Sequence, residues 1–241
     1  MGRRRQRHFN PATAGCRAVV DSRFGMVLTG YPHVSEVTGR VGTIYNLQDL
    51  LLSISPQPYN INGQACVKLY ESSMALRDIN ANPAPFYSGD TLFICAKLDS
   101  TTLGYQRMVS CNIDIIFAAG CNYTTVGSTG PKIFTIAGNG ATWNDVDTNT
   151  PSFDPTNAFA MSVKRDSGTK LTPVVNTVKQ DQKNDGPNAA DLTWVGRGPS
   201  PSVTQYWNGD IAMIAAGQTT GVPMDRRILQ MMGRVWRIHT L

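Results

Sequence analysis

The chain has 241 residues, of which only 16% are charged, and no apolar run approaches the roughly 18 residues that a membrane-spanning helix needs. Its formal charge of +5 gathers at one end: Arg3, Arg4, Arg5 and Arg7 are four of the 22 basic side chains, and the other 18 face 17 acidic ones. The basic character therefore belongs to an arm and not to a face of the domain. Behind that arm, MGRRRQRHFNPATAG, no apolar segment follows, so it does not read as a secretory signal.

With 22 glycines and 14 prolines, the remainder alternates short strand-like runs with breaks. CRAVV (16–20), GMVLTG (25–30) and VSEVTGRVGTIYNL (34–47) come first. A Pro-rich loop, SPQPYN, leads into INGQACVKLY (61–70). The run TLFICAKLD (91–99) has almost no polar interruption, the pattern of a central strand covered on both faces. YQRMVSCN (105–112), DIIFAAG (114–120) and PKIFTIAGNG (131–140) continue the series. AFAMSVKRD (158–166) and LTPVVNTVKQ (171–180) read as a hairpin through Ser167-Gly168, and LTWVGRG (192–198) and NGDIAMIAAG (208–217) close it. About twelve strands without a repeat period or a long linker predict one all-β domain.

The last stretch changes period. Ile228, Met231, Met232, Val235 and Trp236 form one stripe of a 3.6-residue helix, and Arg226, Arg227, Arg234 and Arg237 lie mostly off it. Pro223 suits the first turn and Asp225 complements the dipole there. The pattern predicts a helix over 224–239 docked on the sandwich, because the apolar stripe needs burial first. Five widely spaced cysteines (Cys16, Cys66, Cys95, Cys111, Cys121) form no C-x-x-C, and His8, His33 and His239 are scattered. Buried thiols are expected, with neither disulfides nor a zinc site.

The order of several short motifs resembles the concanavalin A-like jelly-roll family, specifically its laminin-G-like modules in bacterial and phage proteins. Trp207-Asn208-Gly209-Asp210-Ile211-Ala212 followed by Arg226 to Trp236 resembles the family's last strand and closing helix. Ala18-Val19-Val20-Asp21 with Val34-Ser35 resembles its opening hairpin, and Pro58-Tyr59 with Ile61-Asn62-Gly63-Gln64 a segment further on. Thr91 to Ala96 with Tyr105-Gln106-Arg107 resembles its central strand and the next hairpin, and Leu192 to Gly198 the strand ending in a glycine turn. The resemblance spans about residues 16–240 and implies an all-β sandwich of two antiparallel sheets with a short C-terminal helix. Met213 stands where the family usually has Glu, and Leu69-Tyr70 where a Phe-Asp-Gly turn is common, so no ligand or calcium site is carried over.

The same fold hosts β-glucanases, whose E-x-D-x-x-E strand sets its carboxylates on one face. Here the only glutamates are Glu36 and Glu71, and the nearest aspartate cluster, Asp145 and Asp147, sits in a polar loop and is a thin ligand set for calcium. G-x-S-x-G, H-E-x-x-H and P-loop patterns are absent, so neither an enzyme nor a cofactor is expected. Trp143-Asn144-Asp145 and Tyr206-Trp207-Asn208 put aromatic rings beside amide or carboxylate groups, as sugar binding requires, although Trp207 reads first as a core residue, with the loop polar groups forming Asx turns.

The sequence thus predicts a basic arm (1–15) and a jelly-roll sandwich (16–241). Its leading functional reading is a non-enzymatic virion protein, a phage capsid decoration or tail/fibre component made in the host cytoplasm. It would contact neighbouring subunits, including copies of itself, through Arg3, Arg4, Arg5 and Arg7. Nucleic acid is the weaker alternative partner for the arm, and no membrane partner is expected. The alternatives for the whole chain are a lectin-like carbohydrate-binding adhesin and, third, a glycan-degrading enzyme.

Overall fold

The computed structural model describes residues 9–28, 33–40, 45, 47–49, 56–69, 75–78, 84–99, 105–111, 117–122, 132–137, 154–166, 170–179, 182–184, 190–197 and 206–238. In chain order the strands begin with β1 (Cys16–Asp21), β2 (Met26–Leu28), β3 (Val34–Val37), β4 (Leu47–Asp49), β5 (Gln57–Ile61) and β6 (Gln64–Leu69). Next come β7 (Leu76–Asp78), β8 (Ala84–Phe86), β9 (Thr91–Leu98), β10 (Tyr105–Cys111), β11 (Phe117–Asn122) and β12 (Lys132–Ala137). The last are β13 (Phe159–Asp166), β14 (Lys170–Val175), β15 (Val178–Lys179), β16 (Lys183–Asn184), β17 (Ala190–Val195) and β18 (Gly209–Gly217), before helix α1 (Val222–Trp236).

These strands form two antiparallel sheets, giving the expected jelly-roll β-sandwich. The first runs β15-β14-β13-β9-β18-β6-β5, with β1 also on β18 and β16 on β14. The second runs β12-β11-β10-β17-β7-β4-β3-β2, with β8 also on β17. Between them lies the main core, to which Ile94, Phe159, Met161, Trp207 and Ile214 contribute from one side and Leu76, Phe86, Val109, Phe117 and Val195 from the other.

β9 shows why an unbroken apolar run marks a central strand. Leu92, Ile94, Ala96 and Leu98 belong to the inter-sheet core, whereas Phe93 and Cys95 belong to a second apolar cluster shared with α1. β18 is buried at all nine positions. At its start, a Cβ on Gly209 would lie 2.2 Å from the Lys97 carbonyl oxygen, so this glycine is set by close approach of β9.

The helix begins and ends earlier than 224–239, at Val222 and Trp236. Pro223 occupies its first turn, and Arg237 takes a left-handed φ of 52° that stops it. Its buried arc is Ile228, Leu229, Met232, Gly233 and Trp236. Met231 and Val235 are only partly buried, so the arc is rotated from the sequence stripe toward Leu229. All five cysteines are free and buried. Phe9 and Ala14 also join the cluster under α1, so the packed body already includes residues that the sequence assigns to the arm.

Two prolines sit where the sheet can accommodate them. The stretch read as a Pro-rich loop contains β5, whose Pro58 lies in the outermost strand of the first sheet. Pro173 in β14 lies between the residues paired with β16 (Lys170, Leu171) and those paired with β15 (Val174, Val175), so neither partner needs its missing N–H.

Candidate functional site

Of the residues the sequence nominates, Arg3, Arg4, Arg5, Arg7, Trp143, Asn144 and Asp145 lie outside the described residues. Tyr206 and Trp207 are described, and they do not form an exposed aromatic platform. Trp207 is 0% exposed, inside the inter-sheet core, edge-on to Phe159 at 6.4 Å. Tyr206 is 9% exposed, with the Arg197 guanidinium 5.9 Å from its ring centroid. The physical reason is position: Trp207 lies two residues before β18, and its backbone N–H is already tied to the Gly196 carbonyl at 2.8 Å.

A half-buried aromatic, Trp194, stands instead on the outer face of the second sheet. Strand alternation buries Leu76 and Asp78 of β7 and exposes Arg77, and it buries Leu47 and Asp49 of β4 and exposes Gln48. The register then lines up Ser110 (β10), Trp194 (β17), Arg77 (β7), Gln48 (β4) and Glu36 (β3) in one row across five strands. A bulge opposite Ser110 and Cys111 lets Leu192 and Val195 both join the core while Trp194 stays half-buried.

Two guanidinium groups hold the Trp194 ring. Arg77 lies 5.3 Å and Arg197 4.9 Å from its centroid. Stacking of this kind fixes long side chains that would otherwise be mobile. No described carboxylate pairs with Arg77, so its fork of N–H donors stays available beside the ring. The row therefore offers an aromatic surface, a cation, an amide and one carboxylate, spaced by the interstrand distance of about 4.8 Å. Its chemistry suits a hydroxyl-rich ligand lying across the strands.

A separate cleft of about 340 Å³ opens on the outer face of the first sheet, between β13–β15 and the first turns of α1. Ser162, Lys164, Asp166, Thr172, Asp225 and Arg226 are among its lining residues. Both acids are already engaged. Asp166 accepts from Thr172 Oγ1 at 2.5 Å and Gln182 Nε2 at 3.1 Å, and Asp225 accepts from Thr219 Oγ1 at 2.5 Å. Burial raises the Asp225 carboxyl above its ordinary pKa, opposed by the Thr219 hydrogen bond and the Lys164 charge.

Further along the same face, β18 sets Asp210 between Lys68 of β6 and Lys97 of β9. Asp210 is 0% exposed, and its oxygens meet no N–H or O–H donor, only the weak Cys66 thiol. Burial pushes its carboxyl up to about 6 and Asp99 acts in the same direction, while Lys68 and Lys97 oppose. Such a shift is typical of catalytic acids. Complete burial nevertheless keeps this one away from any substrate, so its consequence is for stability. Among the described residues no group of three or more His, Cys, Asp or Glu side chains is placed to hold a metal ion.

No protein-family model matches the sequence, and a comparison with curated proteins finds no match. Solved structures do share the fold. Domain 4 of AbnA, an extracellular arabinanase from Geobacillus stearothermophilus, determined with arabinotriose, superposes with TM-score 0.62 at 9% identity, over 91% of this chain and 98% of that one. The binding domain of Paraclostridial Mosquitocidal Protein 1 gives 0.61 at 10% identity, over 92% of this chain and 53% of that one. A Trypanosoma rangeli sialidase with the inhibitor DANA gives 0.58 at 9% identity, over 88% of this chain but 32% of that enzyme.

Proposed function

We propose that the chain is a non-catalytic carbohydrate-binding module that holds a saccharide across the outer face of its second sheet. The observation that carries this reading is the Trp194 ring stacked with Arg77 in line with Gln48 and Glu36. A sugar offers an apolar ring face and a fringe of hydroxyls, and this row supplies the matching groups. The shared fold adds support, since one solved domain of this shape was determined with arabinotriose and another is a binding domain. The virion reading gains nothing comparable, and the arginine arm on which it rests lies outside the described residues.

The non-catalytic part rests on the carboxylates. Glycoside hydrolysis takes two, about 5–10 Å apart across the sugar. In the row from Ser110 to Glu36 only Glu36 is acidic. Incubation with arabinan, xylan or β-glucan should therefore release no reducing ends, and steady release would overturn this part of the reading.

Binding is tested on a glycan array, followed by calorimetry on the best ligand. Trp194→Ala and Arg77→Ala are each expected to weaken that ligand about tenfold, or about 1.4 kcal/mol, with the thermal midpoint nearly unchanged for the exposed Arg77. Retained affinity in both variants, or an array with no ligand at all, would remove the proposal.

A further inference from the structure

The cleft between α1 and β13–β15 has a composition that the sheet-face reading does not use. Three cations line it: Lys164 of β13, Lys179 of β15 and Arg226 of α1. Among the described residues none of them forms an ion pair. The two acids of the cleft accept from Thr172, Gln182 and Thr219 and form no described salt bridge with those cations, though the Lys164 charge favours the ionised form of Asp225. Ser162, only 3% exposed, also lines the cleft, and its hydroxyl has no described hydrogen-bond partner. From the cleft wall that hydroxyl can donate to, or accept from, a molecule held there. Val174, Leu229 and Val222 supply an apolar part of the wall.

We infer that this cleft is a second binding site, for a small anionic molecule of about monosaccharide size carrying a carboxylate or a phosphate. The volume of about 340 Å³ falls at the small-molecule end of ligand pockets, which begin at about 300 Å³. Lys164 lines the cleft from β13, where pairing with β9 and β14 on either side fixes its backbone. Arg226 approaches from the helix and Lys179 from the β15 edge, so the cations converge from three elements. An anionic group placed among them gains charge-assisted hydrogen bonds, and Ser162 adds a neutral donor. The wall of Val174 and Leu229 takes the less polar body of the ligand. The inference is independent of the sheet-face reading, because it uses a different sheet and no shared residue.

The test uses the whole chain and four probes: glucuronate, glucose 6-phosphate, glucose and inorganic phosphate, each titrated by heteronuclear NMR and calorimetry. Glucuronate or glucose 6-phosphate should bind saturably, with shifts at Ser162, Lys164 and Leu229, at least tenfold tighter than glucose. Which of the two binds tighter identifies the anionic group. Lys164→Met and Arg226→Ala should each weaken binding about tenfold. Arg226 starts the exposed side of the helix, so that variant remains informative should the strand variant fold poorly. Inorganic phosphate binding as tightly as both sugars would show a bare cation cluster without a shaped pocket and would overturn the inference. So would the absence of saturable binding for every probe, or undiminished binding in Arg226→Ala.

Discussion

Replacing Trp236 by alanine should destabilise the domain by about 3 kcal/mol, which lowers the thermal midpoint of a chain this long by roughly 6–12 °C. The indole is 0% exposed and belongs to the cluster that Phe93, Cys95, Ile228 and Met232 build between α1 and the first sheet. Removing a buried Trp or Phe side chain usually costs about 3–5 kcal/mol, through lost burial plus the cavity left behind. Here the lower end applies, because the indole Nε1 is buried without a partner. An unsatisfied buried N–H costs about 1–3 kcal/mol, and truncation removes that penalty together with the ring.

Two contacts anchor the same residue from outside the helix. The Arg23 guanidinium lies 4.9 Å from the indole centroid, held there by Asp21, which accepts from Arg23 Nε at 2.9 Å and Nη2 at 2.6 Å. Asn62 donates its amide N–H to the Trp236 carbonyl at 2.7 Å, so the β5–β6 turn caps the end of the helix. Trp236→Phe keeps a ring for Arg23 and drops the orphan N–H, and it should recover most of the loss. Calorimetric melts of the three proteins check the order. Coincident midpoints would mean that the helix is not docked.

Much of this packing was legible along the chain, because it is encoded locally. The uninterrupted apolar run of β9 and the 3.6-residue stripe of α1 each announce their burial within ten to fifteen consecutive residues. The Asn62-Gly63 turn carries an equally local signal, an N-G pair with positive φ at both residues (50° and 82°). The run 61–70 nevertheless reads as one strand from sequence, because the apolar residues on both sides of the pair mask the turn. The candidate sites are a different matter. Gln48, Arg77 and Trp194 lie in strands of three to six residues, far apart in sequence, and only the pairing register brings them into one row. The cleft likewise draws on β13, β15 and α1. Trp207 misleads for a related reason: an aromatic followed by Asn-Gly reads as a loop, whereas the glycine marks the start of a buried strand.

The second large effect should come from Asp210, and it should depend on pH. In the unfolded chain this carboxyl releases its proton near 3.8, whereas in the folded chain it holds it up to about 6. Between those values the folded state binds more protons than the unfolded one, so stability falls as pH rises from about 4 to 6 and is flat above. Each pH unit of that window is worth about 1.4 kcal/mol, which sets a ceiling of about 3 kcal/mol on the cost of forcing the buried carboxylate to ionise. The facing groups are Asp99, which adds to the cost, and Lys68 and Lys97, which reduce it, with the Cys66 thiol as a weak donor. Lys68 is itself engaged, forming an ion pair with Asp99 and lying 4.3 Å from the Tyr59 ring centroid, so it compensates Asp210 only in part. Asp210→Asn keeps the shape and removes the charge. Its stability relative to the native chain should therefore be about 2 kcal/mol more favourable at pH 8 than at pH 4, with the change concentrated between pH 4 and 6. Urea titrations across that range measure the difference directly. A difference that does not change with pH would place the Asp210 titration back near its unfolded value and remove the buried-carboxylate account of this face.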